Sequence, residues 1–154
     1  MREDMDRIPE SFIGKPLLAE DLLIDQPVDV RSAFSNSCRE IGVQAGFTLI
    51  ESGTRATRIF ILETGSGTVR LSPAKGVSFS RHILRNEIVG LPEALTGAEM
   101  SVSAVTDTDS RFRVVEGLDL ISLLRSHSTL CYRLVDLLGS NLHSGKRLFN
   151  SFLP

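Results

Sequence analysis

A mainly β domain with flanking helices is the fold class this sequence predicts, and three observations predict it. The apolar period shifts from about 3.6 residues to 2 near Cys38 and returns to the helical value near Glu116. Between those points lie eight short apolar stretches punctuated by glycine. The length, 154 residues, suits one domain with a core of ordinary size.

The first part reads as short helices. Leu17-Leu18 and Leu22-Leu23-Ile24 recur at helical spacing. In Pro27 to Phe34, Pro27 suits a first helical turn, and Val30, Ala33 and Phe34 share one face. Residues 1–12 lack a clear apolar stripe, and a loose N-terminal arm is expected over residues 1–16. The strand candidates follow: Ile41–Val43, Gly46–Ile50, Arg58–Leu62, Thr68–Leu71, Val77–Leu84, Glu87–Val89, Ser101–Thr106 and Arg111–Val115. Eight strands spaced by turns indicate a sandwich or a barrel. Thr64-Gly65-Ser66-Gly67 reads as a tight hairpin connection, because glycine accepts the positive φ such turns demand. The main β domain is expected over residues 17–126.

Leu118, Leu120, Ile121, Leu123 and Leu124 then mark a short helix ending near His127. A longer helix is expected over residues 127–154. From Cys131, the positions Val135, Leu138, Leu142, Gly145, Phe149 and Phe152 step by 4, 3, 4, 3, 4, 3. That spacing is a coiled-coil seam able to face a second helix. Leu130, Leu134, Leu137 and Leu148 lie beside it, free to pack on the β domain. The expected partner is a second copy of the chain, held through Val135, Leu138, Leu142 and Phe149; the alternative is a helix folded back on its own core.

Composition narrows the function. Seventeen basic against nineteen acidic residues leave a charge of -2, which argues against nucleic-acid binding by bulk electrostatics. No apolar run approaches the roughly 20 residues of a membrane helix, and the charged N-terminus has no secretory core. Two cysteines, Cys38 and Cys131, make neither a disulfide framework nor a four-thiolate metal site. A cytoplasmic domain with reduced thiols is the expectation.

Short helices, a glycine-punctuated eight-stranded barrel, then a short and a long helix resemble the cyclic nucleotide-binding domain of the Crp/Fnr type. Gly46-Phe47-Thr48-Leu49-Ile50-Glu51-Ser52-Gly53 is similar to that family's early strand pair, and Arg58 to Leu71 to its central hairpin. Glu87-Ile88-Val89-Gly90-Leu91 and Ser101-Val102-Ser103-Ala104-Val105-Thr106 bracket the place of its phosphate-binding cassette. The resemblance covers residues 17 to 152. It implies a double-stranded β-helix, or jelly-roll, barrel and a long C-terminal dimerisation helix. It also implies a cassette whose amides cradle a cyclic phosphate, with an Arg on the phosphate and a Glu on the ribose.

The cassette departs from that pattern. Gly90 keeps the glycine, but Leu91 stands at the Glu position and Ala98 at the Arg position. From Asn86 to Ser110 there is no Lys or Arg, while Glu87, Glu93, Glu99, Asp107 and Asp109 are all present. Glu93 reads either as a late stand-in for the ribose acid or as an exposed helix-start acid after Pro92. Arg85 and Arg111 flank the segment and are the cations an intact receptor would need. The expected ligand-facing residues are Gly90, Leu91, Glu93, Ala98, Ser101 and Ser103, for a small molecule less anionic than a cyclic nucleotide or for none.

Other chemistry finds little support. His82, His127 and His143 are scattered, so a metal enzyme of the barrel type lacks converging ligands. No Ser or Cys has a nucleophile elbow or a neighbouring base. Gly65-Ser66-Gly67 precedes no helix and is a turn rather than a nucleotide loop. No cofactor and no enzymatic activity are expected, nor a DNA-reading helix-turn-helix after Pro154. The reading is a regulatory, ligand-sensing dimer with a degenerate cassette, acting on a small molecule or a protein partner. The alternatives are an intact cyclic AMP or cyclic GMP receptor and a structural dimerisation module.

Overall fold

A computed structural model describes residues 16–139. Residues 1–15 of the expected arm and the seam positions Leu142, Gly145, Phe149 and Phe152 lie outside the described residues, as do His143 and Leu148. Two helices open the described chain, α1 (Ala19–Leu23) and α2 (Val28–Ser37). The strands are β1 (Arg39–Val43), β2 (Thr48–Ile50), β3 (Arg58–Thr64), β4 (Gly67–Ala74), β5 (Val77–His82) and β6 (Ile88–Val89). A short helix α3 (Leu91–Thr96) precedes β7 (Ser103–Thr106) and β8 (Ser110–Glu116). Helices α4 (Gly117–Ser126) and α5 (Ser128–Leu138) follow. Each of the eight strands falls on one of the glycine-bounded stretches, its ends moved by a few residues.

The strands form two four-stranded antiparallel sheets, ordered β1-β8-β3-β6 and β2-β7-β4-β5. Phe60, Leu62, Val89, Phe112 and Val114 of the first sheet meet Ile50, Val69 and Ala104 of the second, with Ile83 and Met100 closing the ends. The period of 2 explains this layer, because alternate side chains of each strand enter it. The opposite face of the first sheet is apolar only where helices cover it. There Ile59, Ile61 and Val115 pack with Leu22, Phe34, Leu120, Leu130 and Leu134. Beyond the helices the same face turns charged, with Arg113–Glu63 at 3.3 Å and Arg111–Glu40 at 3.2 Å. The outer face of the second sheet carries Arg70, Ser78, Ser80 and His82, all exposed.

Four expectations need correction. Leu17 and Leu18 are not helical: the Ile88 amide donates to the Leu17 carbonyl at 2.9 Å, and Leu18 bridges Glu87. The otherwise unpaired edge of β6 takes these residues in as an extended segment. The Thr64–Gly67 turn is not a hairpin, since β3 and β4 belong to different sheets. Gly65, at φ +99, instead turns the chain from one sheet to the other, and the hairpin is β4–β5. Leu118 lies within α4 but points to solvent. Pro27 caps α2 from just outside its first turn, a one-residue difference.

Candidate functional site

The cassette is α3 and the chain that joins it to β7. Two left-handed glycines frame it, Gly90 at φ 88 and Gly97 at φ 72. The Gly90 carbonyl accepts from the Ala94 amide at 3.0 Å, and the Gly97 amide donates to the Glu93 carbonyl at 2.8 Å. Pro92 presets the first turn. A β-carbon on Gly90 would stand 3.3 Å from Ile50 Cδ1, so glycine serves both the turn and the close approach.

One side of α3 belongs to the core. Leu91, Ala94 and Leu95 are buried with Leu120, Leu123 and Leu124 of α4. Gly117, at the start of α4, comes so near that a β-carbon there would lie 3.1 Å from the Ala94 carbonyl oxygen. Leu91 therefore offers a ligand its backbone and not its side chain. Beyond the helix the chain is stitched to the loop before β3. The Met100 amide donates to the Thr54 carbonyl and the Gly53 amide to the Met100 carbonyl, both at 2.8 Å. Ser103 Oγ accepts from the Ser52 amide at 3.1 Å. Ala98 and Ser101 are exposed, whereas Gly90 and Ser103 are half-buried. Gly90, Glu93, Ala98 and Ser101 thus lie along one short stretch, with Leu91 turned into the core and Ser103 tied to Ser52.

Glu93 is half-buried, not the exposed acid that its position after Pro92 implied. Burial pushes its carboxyl above the ordinary value near 4.5, and a hydrogen bond to its own amide offsets this in part. The folded state thus binds the Glu93 proton more tightly than the unfolded chain does. Stability from this group is complete below about pH 4.5 and is lost as pH rises through the raised folded value. Glu93→Gln, which fixes a neutral side chain, is expected to raise Tm at pH 7 and to lose that advantage at pH 4. A thermal melt series across that range checks both the sign and its disappearance.

The five acids of the segment do not act together. Asp107 accepts from Thr68 Oγ1 at 2.8 Å and Asp109 from the Ala45 amide at 3.0 Å, both on the β7–β8 turn. Glu87 is buried and holds Arg81 through a two-pronged pair at 2.9 and 2.8 Å. Glu93 and Glu99 remain at the cassette, and Glu99 bridges Arg55 through its backbone.

Of the two flanking cations, Arg111 lies away from the cassette. Arg111 pairs with Glu40 at the far end of β8, about 17 Å along the strand from Glu116 and the α4 start that touches α3. Arg85 is exposed on the β5–β6 connection. A cation that does face inward is Arg81, which no sequence motif singled out. The alternation Val77, Phe79, Arg81 along β5 carried the signal.

The remaining sequence candidates are dispersed. His82 is exposed, with Nδ1 4.0 Å from the Asp107 carboxylate. His127 joins α4 to α5, its carbonyl accepting from the Leu130 and Cys131 amides. Burial raises the thiol pKa of both Cys38 and Cys131, the setting of unreactive cysteines. Among the described residues, no group of three or more His, Cys, Asp or Glu converges on a metal position, and no helix is long and apolar enough to cross a membrane.

Known proteins match this arrangement at the level of fold. The Thermus thermophilus Catabolite Activator Protein superposes with a TM-score of 0.72 at 16% identity, over 84% of this chain and 62% of its own. The N-terminal domain of a transcriptional regulator from Streptomyces coelicolor A3(2) gives 0.69 at 14% identity, covering 81% of this chain and 90% of that one. The sensor domain of the transcriptional regulator DNR from Pseudomonas aeruginosa gives 0.64 at 12%, covering 80% and 88%. No curated protein matches the sequence. The family model described as the cyclic nucleotide-binding domain matches residues 40–127, from β1 through α3 to the end of α4, more than half of the chain. By that match over the two sheets and the cassette between them, the chain belongs to the cyclic nucleotide-binding domain family.

Proposed function

We propose that this protein is a regulatory, ligand-sensing domain whose cassette does not hold a cyclic phosphate. One observation carries the reading: residues 86–110, which contain the whole cassette, have no Lys or Arg. A partly buried phosphate needs amide donors and a cation, and the forked donor of Arg serves best. The engagement of Arg111 with Glu40 and of Arg81 with Glu87 supports the reading from outside the segment. The ligand-facing residues we assign are Gly90, Glu93, Ala98, Ser101 and Ser103, with Leu91 through its backbone. The finer architecture we assign is a jelly-roll barrel with a long dimerisation helix, in a cytoplasmic protein without direct DNA contact.

Titration calorimetry with cyclic AMP and cyclic GMP tests this. No saturable heat is expected. Micromolar binding, about -8 kcal/mol, would overturn the reading in favour of an intact receptor, the second reading that family membership favours.

The signal is proposed to pass through α5 to a second copy of the chain. Leu130 and Leu134 of this helix are buried, Cys131 and Leu138 are half-buried against the same core, and Val135 stays half-exposed on the predicted seam. Leu138→Asp is expected to give monomers in sedimentation velocity. A variant that remains dimeric would place the interface elsewhere.

A further inference from the structure

The two sheets have four edge strands, and three of them are protected. Leu17 and Leu18 cover β6. β2 is only three residues long and bulged, and β1 opens with Arg39 and Glu40, both in ion pairs. The fourth, β5, runs for six residues, about 20 Å, and among the described residues it pairs with β4 alone. Register fixes which of its main-chain groups stay open. The Ile83 amide donates to the Gly67 carbonyl at 2.9 Å, and bonded and open pairs alternate along an antiparallel ladder. Arg81 and Phe79, opposite Val69 and Leu71, therefore bond to β4. Ser80 and His82 turn their amides and carbonyls outward, as does Ser78 by the same alternation. The His82 carbonyl accepts from Arg81 Nη1 at 3.3 Å, which leaves the His82 amide and both groups of Ser78 and Ser80 for a further strand.

Side chains along this edge sort by face. Val77 and Phe79 share the inner side with the buried Leu71 yet are only half-buried themselves, whereas Ser78, Ser80 and His82 are exposed on the outer side. Cations flank the outer side along its length. Arg70 of β4 stands opposite the small Ser80, so its exposed guanidinium has an open path to a strand laid against β5. Lys75 lies in the β4–β5 turn and Arg85 beyond Ile83 and Leu84, both exposed. Among the described residues none of Arg70, Lys75 and Arg85 pairs with an acid. Residues 64–86 contain no Asp or Glu at all. Asp107 comes within 4.0 Å of His82 Nδ1, so the more positive end is that of Arg70 and Lys75.

We infer that the β5 edge is a docking site for an extended segment of a partner protein, one in which acidic residues alternate with apolar ones. Its main chain bonds to Ser78, Ser80 and His82 and adds a strand to the second sheet. Its acids lie on the outer face toward Arg70 and Lys75, and its apolar side chains lie beside Val77 and Phe79. A nucleic acid fits this edge less well. It supplies the anions but no row of donors for the outward carbonyls, and the chain as a whole carries a charge of -2. The inference is independent of what the cassette binds.

Fluorescence anisotropy with a labelled, capped peptide of about ten residues, alternating glutamate and valine, tests it. Wild type is expected to bind this peptide saturably below about 1 mM, and its lysine–valine counterpart about tenfold more weakly. Hydrogen exchange at the Ser80 and His82 amides is expected to slow in the complex. Ser80→Pro removes an outward donor without touching the β4 ladder, and should weaken binding about tenfold or more. Arg70→Glu/Lys75→Glu should reverse the preference in favour of the lysine peptide. Absence of saturable binding by wild type overturns the inference, as does binding that leaves exchange at Ser80 and His82 unchanged. Equal binding of a single-stranded oligonucleotide of the same length would reduce the effect to bulk charge and overturns it as well. Should Ser80→Pro fail to fold, exchange at those two amides in wild type decides alone. Titration with cyclic nucleotides has no part in this test, so the cassette reading stands or falls separately.

Discussion

Gly65→Ala is expected to lower Tm by on the order of 10 °C, a large effect for one methyl group. The residue holds φ at +99, where an L side chain is strained by about 1–3 kcal/mol. Its β-carbon would also collide with Ser110 Oγ and stand 2.7 Å from the Asp109 carbonyl oxygen and from Ser110 Cα. Two of those atoms are backbone and cannot rotate away, so overpacking adds about 1–3 kcal/mol. The turn is docked as well as tight. Ser66 donates its amide to Ser110 Oγ at 3.2 Å, shares a hydroxyl contact with Thr108 at 3.0 Å and accepts from the Asp107 amide at 2.9 Å. Moving Gly65 to relieve the collision breaks these bonds. Gly76→Ala is the control, because φ is +80 there with nothing within 4 Å of the new methyl. Urea denaturation should show a large fall in midpoint for Gly65→Ala and a small one for Gly76→Ala. Equal losses would mean that backbone strain alone sets the cost and that the docking contributes nothing.

The contrast between those two glycines also shows what sequence reading can reach. Gly65 and Gly76 both hold a positive φ at a turn between strands, which glycine accepts at either place. Which one lies under another turn depends on β3 and β4 entering different sheets, and alternation along a strand says nothing of which strand lies beside it. The same blindness hid the Leu17–Leu18 pairing with β6, since two leucines before a helix read as helix whether or not a free edge is near. Strand positions were legible because glycine and a period of 2 are local signals. The lack of a cation from Asn86 to Ser110 was legible for the same reason. Charge pairing was not: Glu87, Asp107 and Asp109 counted equally with Glu93 and Glu99 as acids near the cassette, yet their partners Arg81, Thr68 and Ala45 all come from earlier strands or loops. Burial misled at Glu93 too, where one helical turn gives no sign of what covers it.

Phe112→Ala is expected to cost about 3–5 kcal/mol, with a Tm loss comparable to that of Gly65→Ala but a different cause. The Phe112 side chain is fully buried between the sheets and stands edge-on to Phe60, with ring centroids 6.1 Å apart and planes at 84°. Leu62, Val89 and Val114 share its layer from the first sheet and Ile50, Val69 and Ala104 from the second. Two hydrogen-bonded sheets cannot close on the lost ring without breaking their ladders, so most of its volume remains as a cavity. Phe112→Leu keeps most of the volume and is expected to recover all but about 1.5 kcal/mol, while Phe47→Ala, at a position 44% exposed, should cost under about 1 kcal/mol. The series also bears on where a ligand can sit. A densely packed interior would leave no room for one there, in keeping with the proposed placement at the cassette. If Phe112→Ala proves nearly as stable as wild type, the interior is loosely packed, and the space between the sheets becomes a candidate ligand chamber in its own right.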